Sequence, residues 1–149
     1  MHHAQNFPPR RRYKLSSLEQ QEALLPFVRF CPGRTYAHYW QMPTPSKDGP
    51  TDHAYGRECA AHLLQWLKDN REYVGKGLLS RVARDIDFED RDGRGQWMGF
   101  FNYLEIMMLL GADRVRVYRH VDSQHRFYLA QEQRFSLEAR FRRVRLQNH

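Results

Sequence analysis

Apolar residues recur at helical spacing in three consecutive stretches of the chain. In the segment 55–70 they occupy positions 60, 63, 64 and 67, which is the stripe of an amphipathic helix. The segment 78–86 repeats this spacing after Gly75 and Gly77, and the segment 97–110 is apolar around most of its circumference and stops at Gly111. The pattern predicts three helices, the third of which lies at the centre of the core.

A different periodicity follows the third predicted helix. Valines at 115, 117 and 121 alternate with basic residues, and a second run of strand-forming residues occupies 126–130 beyond the polar connection 122–125. This arrangement predicts a β-hairpin. From Phe135 onward the apolar spacing fits either a strand or a helix, and the content of Glu, Ala, Leu and Arg favours a C-terminal helix.

The N-terminal third has weaker patterning. Serines at 16 and 17 precede Glu19 and Gln20 at capping-box spacing, which predicts a short helix that ends before Pro32. The aromatic run Tyr36–Trp40 is typical of a strand. Three prolines between 42 and 53 predict a loop.

Charge and length complete the outline of the chain. The proline-led basic run Pro8–Lys14 predicts that residues 1–14 form a flexible basic arm. Residues 15–149 are expected to form a single domain, because a chain of 149 residues is typical of one domain. The formal net charge is +7 and comes mostly from arginine, so a polyanion is the natural partner to expect.

Three helices followed by a hairpin, with Leu109-Leu110-Gly111 just before an Arg-Val-Arg-Val run, resemble the winged helix-turn-helix superfamily over residues 55–130. The resemblance implies an α+β, mostly helical fold. Its winged-helix-like core of three helices and a β-hairpin would carry an N-terminal helix and strand extension and a C-terminal helix. It also implies that the third helix lies in the DNA major groove while the hairpin touches the flanking backbone.

The same resemblance assigns roles to particular residues. Gln96 and Asn102 lie on one side of the third helix, and each amide can pair with adenine. Basic side chains around that helix would contact phosphates. They are Lys76, Arg81, Arg84, Arg94, Arg119, His120 and Arg126. The expected function is that of a small basic regulatory protein that binds duplex DNA in transcription regulation.

The sequence contains no catalytic signature. Because it has no P-loop, GxGxxG, GxSxG or HExxH motif, we expect neither an enzyme nor a cofactor. His53, Cys59 and His62 supply three metal ligands without a fourth, and the acidic segment 85–93 lacks the spacing of a calcium loop. No metal site is predicted.

The cytoplasm is the expected location. Met1–Asn6 lack the charged and apolar regions of a secretory signal, and the longest apolar run, 100–110, is too short to cross a membrane. Cys31 and Cys59 form no recognisable disulfide framework, which agrees with a reducing compartment.

An interpretation from another class remains open. The segment Tyr36–Trp40 or the C-terminal apolar stripe around Phe141 would then form a contact surface for a protein partner or a second copy. The protein would be a non-enzymatic adaptor or a dimeric accessory protein. The sequence also leaves open whether RNA replaces DNA and whether the carboxylates of the segment 85–92 face a ligand.

Overall fold

The protein has a mostly helical α+β structure, as predicted. The computed structural model describes residues 6–14, 22–31, 33 and 36–147, with side chains as far as residue 143. The chain divides between Ile106 and Met107 into two compact units. Of the short helix predicted between Ser16 and Pro32, residues 16–21 lie outside the described residues. In the described part only residues 22 and 23 are helical, the chain turns at 24–27, and Arg29–Phe30 form a strand, so the helix ends earlier than predicted.

Two short strands and three helices follow in order. Strand β1 (Arg29–Phe30) pairs antiparallel with β2 (Ala37–His38), so that Arg29 lies opposite His38. The helices are α1 (Gly49–Asp69), α2 (Leu78–Asp85) and α3 (Arg94–Ala112), and a 3-10 turn at Arg71–Tyr73 follows α1. The helix α4 (Val117–Gln147) lies in the second unit.

The three helices predicted from apolar spacing are present, but the first and the third differ from the prediction. The third does not lie at the centre of the core along its whole length, because four large apolar side chains of its second half are more than half exposed: Ile106, Met108, Leu109 and Leu110. Helix α1 begins at Gly49, inside the segment 42–53 that was predicted to be a loop. Pro50 does not prevent this, because a proline in the first turn lacks only an N–H group that would have no helical partner. The strand predicted over Tyr36–Trp40 is reduced to the two residues of β2.

The predicted hairpin over residues 115–130 is wrong. These residues contribute to the long helix α4, which extends without interruption from Val117 to Gln147. The chain contains no glycine or proline after Gly111, so no residue of the connection 122–125 breaks a helix, although Asp122 and Ser123 are also common in turns. The wing that the winged-helix resemblance requires is absent from these described residues, whereas the predicted C-terminal helix is present as the second half of α4.

Residues 10–13 are held against the first unit instead of forming a free arm. Arg10 pairs with Glu58, and Arg12 pairs with Asp69 at 2.7 Å. The backbone N–H of Tyr13 donates to Asp69 at 2.8 Å, and the Tyr13 side chain is fully buried. The run was expected to remain unburied because it is basic, but its single aromatic residue supplies apolar surface to the core while its arginines keep contact with water.

Glycines allow α1 and α3 to approach each other closely. A β-carbon at Gly56 would lie 2.0 Å from the carbonyl oxygen of Gln96, and one at Gly99 would lie 2.1 Å from the carbonyl oxygen of His53. Real side chains cannot occupy such positions, so the crossing requires glycine. Beside this crossing, Phe100 of α3 and Trp66 of α1 are completely buried in the hydrophobic core.

A buried histidine connects the N-terminal segment to α1. The Tyr13 hydroxyl lies 2.5 Å from Nδ1 of His62, and both side chains are buried. Burial lowers the pKa of His62 below its ordinary value of 6.5. The unfolded chain therefore binds a proton at His62 at a higher pH than the folded chain does.

We expect this histidine to make the protein less stable in mild acid. The stability that neutral His62 contributes is complete above pH ~6.5 and is lost as the pH falls through the lower folded-state pKa. Urea unfolding between pH ~7.5 and ~5.5 should show a smaller pH slope in His62→Asn, whose amide oxygen can replace Nδ1 as acceptor. The exposed His125→Asn is the control, and equal slopes in both variants would refute the assignment.

Candidate nucleic-acid interface

Two of the basic residues predicted to contact phosphate form ion pairs with carboxylates in the first unit. Arg81 donates to Glu22 at 2.7 Å and to the carbonyl oxygen of Lys76 at 3.1 Å. Arg84 makes two hydrogen bonds to Asp85, at 2.9 and 3.1 Å, and the first of these lowers the pKa of Asp85. Both guanidinium groups therefore have their charge balanced within the fold.

The polar residues predicted to contact bases are not available as a pair. Gln96 is only 3% exposed, and its amide nitrogen donates to the carbonyl oxygen of Pro43 at 2.9 Å. Asn102 is exposed on α3. The face that carries Gly99 packs against α1, so it is closed to DNA. The structure removes Gln96 from the predicted base-reading set.

Lys76 and Arg94 remain exposed in the first unit. The Arg94 Nε lies 3.3 Å from the Met98 sulfur, one turn further along α3. The net charge of residues 1–106 is only +2, out of the +7 of the whole chain. In this unit Arg10, Arg12, Arg81 and Arg84 form ion pairs with carboxylates.

The second unit carries the remaining five positive charges. Residues 107–149 contain nine arginines against four carboxylates. The predicted phosphate contacts Arg119, His120 and Arg126 belong to this unit and are all exposed, on a helix and not on a hairpin. The charge that the whole sequence shows is therefore concentrated in fewer than one third of its residues.

Helical geometry arranges these arginines in a row. Arg119, Arg126 and Arg134 follow one another at intervals of seven and eight residues, close to two turns each, so they share one side of α4. The row is about 22 Å long at 1.5 Å per residue. Exposed arginines at 140, 142 and 143 continue the charge toward the end of the helix.

A hollow of about 310 Å³ lies at the beginning of α4. Arg116, Arg119 and His120 line it together with Val115 and Ser123. The first N–H groups of a helix have no helical partner and attract anions, and here they lie beside two guanidinium groups. The hollow is shallow and its accessible lining is mostly apolar, so it does not by itself form a phosphate site.

Apolar residues occupy another side of the same helix. Val121, Tyr128 and Phe135 recur every seven residues, and all three are exposed. Residues two positions apart on a helix point in nearly opposite directions, so the row that begins at Val121 lies away from the row that begins at Arg119. Large apolar residues are not confined to that side, because Leu137 lies five full turns beyond Arg119 and is also exposed, as are Phe127 and Phe141. Helix α4 thus exposes arginines and apolar residues together within the second unit.

No family model, no curated protein and no solved structure matches this chain. Across the described parts of the chain, no helix combines the length and the hydropathy that crossing a membrane demands. Within the same parts, no three residues among His, Cys, Asp and Glu are grouped to hold a metal ion. Cys59 is buried next to the Met42 sulfur, and burial raises the pKa of its thiol, which makes it a poor nucleophile.

Proposed function

We propose that the protein binds duplex DNA through α4 and the residues just before it. The observation that supports this most strongly is the exposed arginine row at 119, 126 and 134, together with the concentration of net charge in the second unit. An α-helix of ordinary diameter fits the major groove, where such a row can reach phosphates of the flanking strands.

The proposed contacts are mainly to the DNA backbone. Phosphate contacts fix orientation but carry no sequence information, and Gln96 is too buried to read a base. We therefore infer a DNA-binding protein with little sequence preference. Its third helix does not read the base sequence, in contrast to the expectation from the winged-helix resemblance. Its affinity would depend strongly on salt, because each neutralised phosphate releases counterions.

The first test is a fluorescence-anisotropy titration against a random duplex of about 30 base pairs and against single strands of the same length. We expect micromolar binding to the duplex at low salt and weaker binding to single-stranded DNA or RNA. Preference for a single strand would contradict the proposal and would point to base stacking on the exposed aromatic residues of α4.

A second candidate is interaction with a protein partner or a second copy through the exposed apolar residues of α4. The exposure of Phe135 and Tyr128, 69% and 59%, favours it, because large aromatic residues are common at interface centres. Sedimentation of the wild type and of Phe135→Asp distinguishes the two candidates. An assembly that the substitution dissolves would support an interface, and a monomer in both cases would exclude self-association.

A further inference from the structure

The first unit contains a cavity that the proposed DNA contacts do not use. Its volume is about 410 Å³, which is within the range of small-ligand sites. The walls come from three separate parts of the chain: residues 38–45, residues 85–90 and the beginning of α3 at 93–97. All of them lie within the same compact unit.

Two tryptophans form part of the wall, and other aromatic rings support both of them. Trp40 packs edge-on against Phe100 with ring centres 5.1 Å apart, and Trp97 packs edge-on against Phe88 at 5.2 Å. These contacts limit the movement of the indole rings. Tryptophan is the aromatic residue that attracts cations most strongly, so the wall is suited to a positively charged guest.

Three aspartates also line the cavity, and they differ in how their charge is balanced. Asp85 accepts hydrogen bonds from Arg84 and from the backbone N–H of Tyr39. Asp87 and Asp90 each accept only one backbone N–H, from the residue two positions further on, at 3.0 Å. Within the described part of the chain neither of these two carboxylates has a cationic partner.

Two further polar groups of the lining residues are not open to a ligand. The indole nitrogen of Trp97 is buried and donates to no atom of the described residues. The side chain of Gln96 is only 3% exposed, and its amide nitrogen already donates to the carbonyl oxygen of Pro43 at 2.9 Å. The polar contacts that the cavity offers a ligand therefore come mainly from its carboxylates.

We propose that this cavity binds the side chain of an arginine presented by a peptide. A guanidinium group is planar, carries five N–H donors and stacks on aromatic rings, which matches two carboxylates and two indoles better than a compact ammonium does. This site is independent of DNA binding by α4.

The test is a titration of the full-length protein with N-acetyl-arginine amide. Binding is measured by calorimetry and by the change in tryptophan fluorescence. We expect saturable binding that weakens by about tenfold or more in Asp87→Asn/Asp90→Asn, because each aspartate loses a charge-assisted hydrogen bond. The corresponding citrulline amide has nearly the same shape without the charge, and we expect no measurable binding of it.

The matched control is Glu89→Gln/Asp92→Asn. It removes two negative charges from the same loop, but neither residue lines the cavity. The proposal predicts wild-type affinity for this variant. It would be overturned by equal loss of affinity in both double variants, by equal binding of citrulline amide, or by no saturation up to about 10 mM ligand, where a millimolar site would be mostly filled.

Discussion

Replacing Gly99 by alanine is expected to destabilise the protein by about 3 kcal/mol, since inserting a methyl group into a tightly packed contact forces the backbone to move. The new β-carbon would meet three backbone atoms of His53 within 2.1 to 2.8 Å, and none of these can move without displacing α1. Urea unfolding of the variant should therefore show a much lower midpoint. Gly56→Ala should behave similarly, because its β-carbon would meet the backbone of Gln96 and Phe100.

The control for this prediction lies on the same helix. A β-carbon at Gly111 has no neighbouring atom within 4 Å. Gly111→Ala should be neutral or stabilise the protein by up to about 1 kcal/mol, because alanine favours the helix more than glycine does. If Gly99→Ala and Gly111→Ala had the same effect, the close crossing of α1 and α3 would not be a determinant of the fold.

Replacing four exposed arginines of α4 by glutamine should reduce DNA affinity by about a hundredfold at low salt, because each lost phosphate contact lowers binding several-fold. The variant combines Arg119→Gln, Arg126→Gln, Arg134→Gln and Arg140→Gln, and glutamine keeps the helix propensity of arginine. All four side chains are exposed, so folding should be unaffected. Circular dichroism would verify this, and anisotropy with duplex DNA would measure the loss.

A second variant separates position from total charge. Arg29, Arg57, Arg71 and Arg91 are exposed in the first unit, and replacing all four by glutamine removes the same number of charges. We expect this variant to bind DNA within a few-fold of the wild type, since distant surface charges are largely screened in salt. Equal losses in the two variants would show that only the net charge matters and would contradict binding by α4.

Local patterning predicted the helices but not their ends or their neighbours. The stripe at positions 60, 63, 64 and 67 identified α1 because one face of that helix is buried. Alternation of valine and arginine around 115–121 was misinterpreted as a strand, although Val117 and Val121 are also one helical turn apart. The absence of glycine and proline between 112 and 147 was the available signal for a helix.

Contacts between distant segments were beyond such reasoning. Nothing local to the basic run at 10–14 indicates that Tyr13 meets His62 of α1, and nothing local to the acidic loop indicates that Asp87 lies in the same cavity as Trp40. The close helix crossing had one accessible sign, since Gly95 and Gly99 are one turn apart on α3 and both face α1. Spacing of small residues is a better guide to such a crossing than to a phosphate site.

The salt dependence of duplex binding is the most direct test of DNA recognition by α4. The logarithm of the binding constant falls with the logarithm of salt concentration by about 0.9 for each phosphate neutralised. If α4 makes the contacts, the slope of the four-arginine variant should be less steep than that of the wild type by about 3.6 units, whereas the first-unit variant should keep the wild-type slope. Identical slopes in the wild type and the α4 variant would contradict the account.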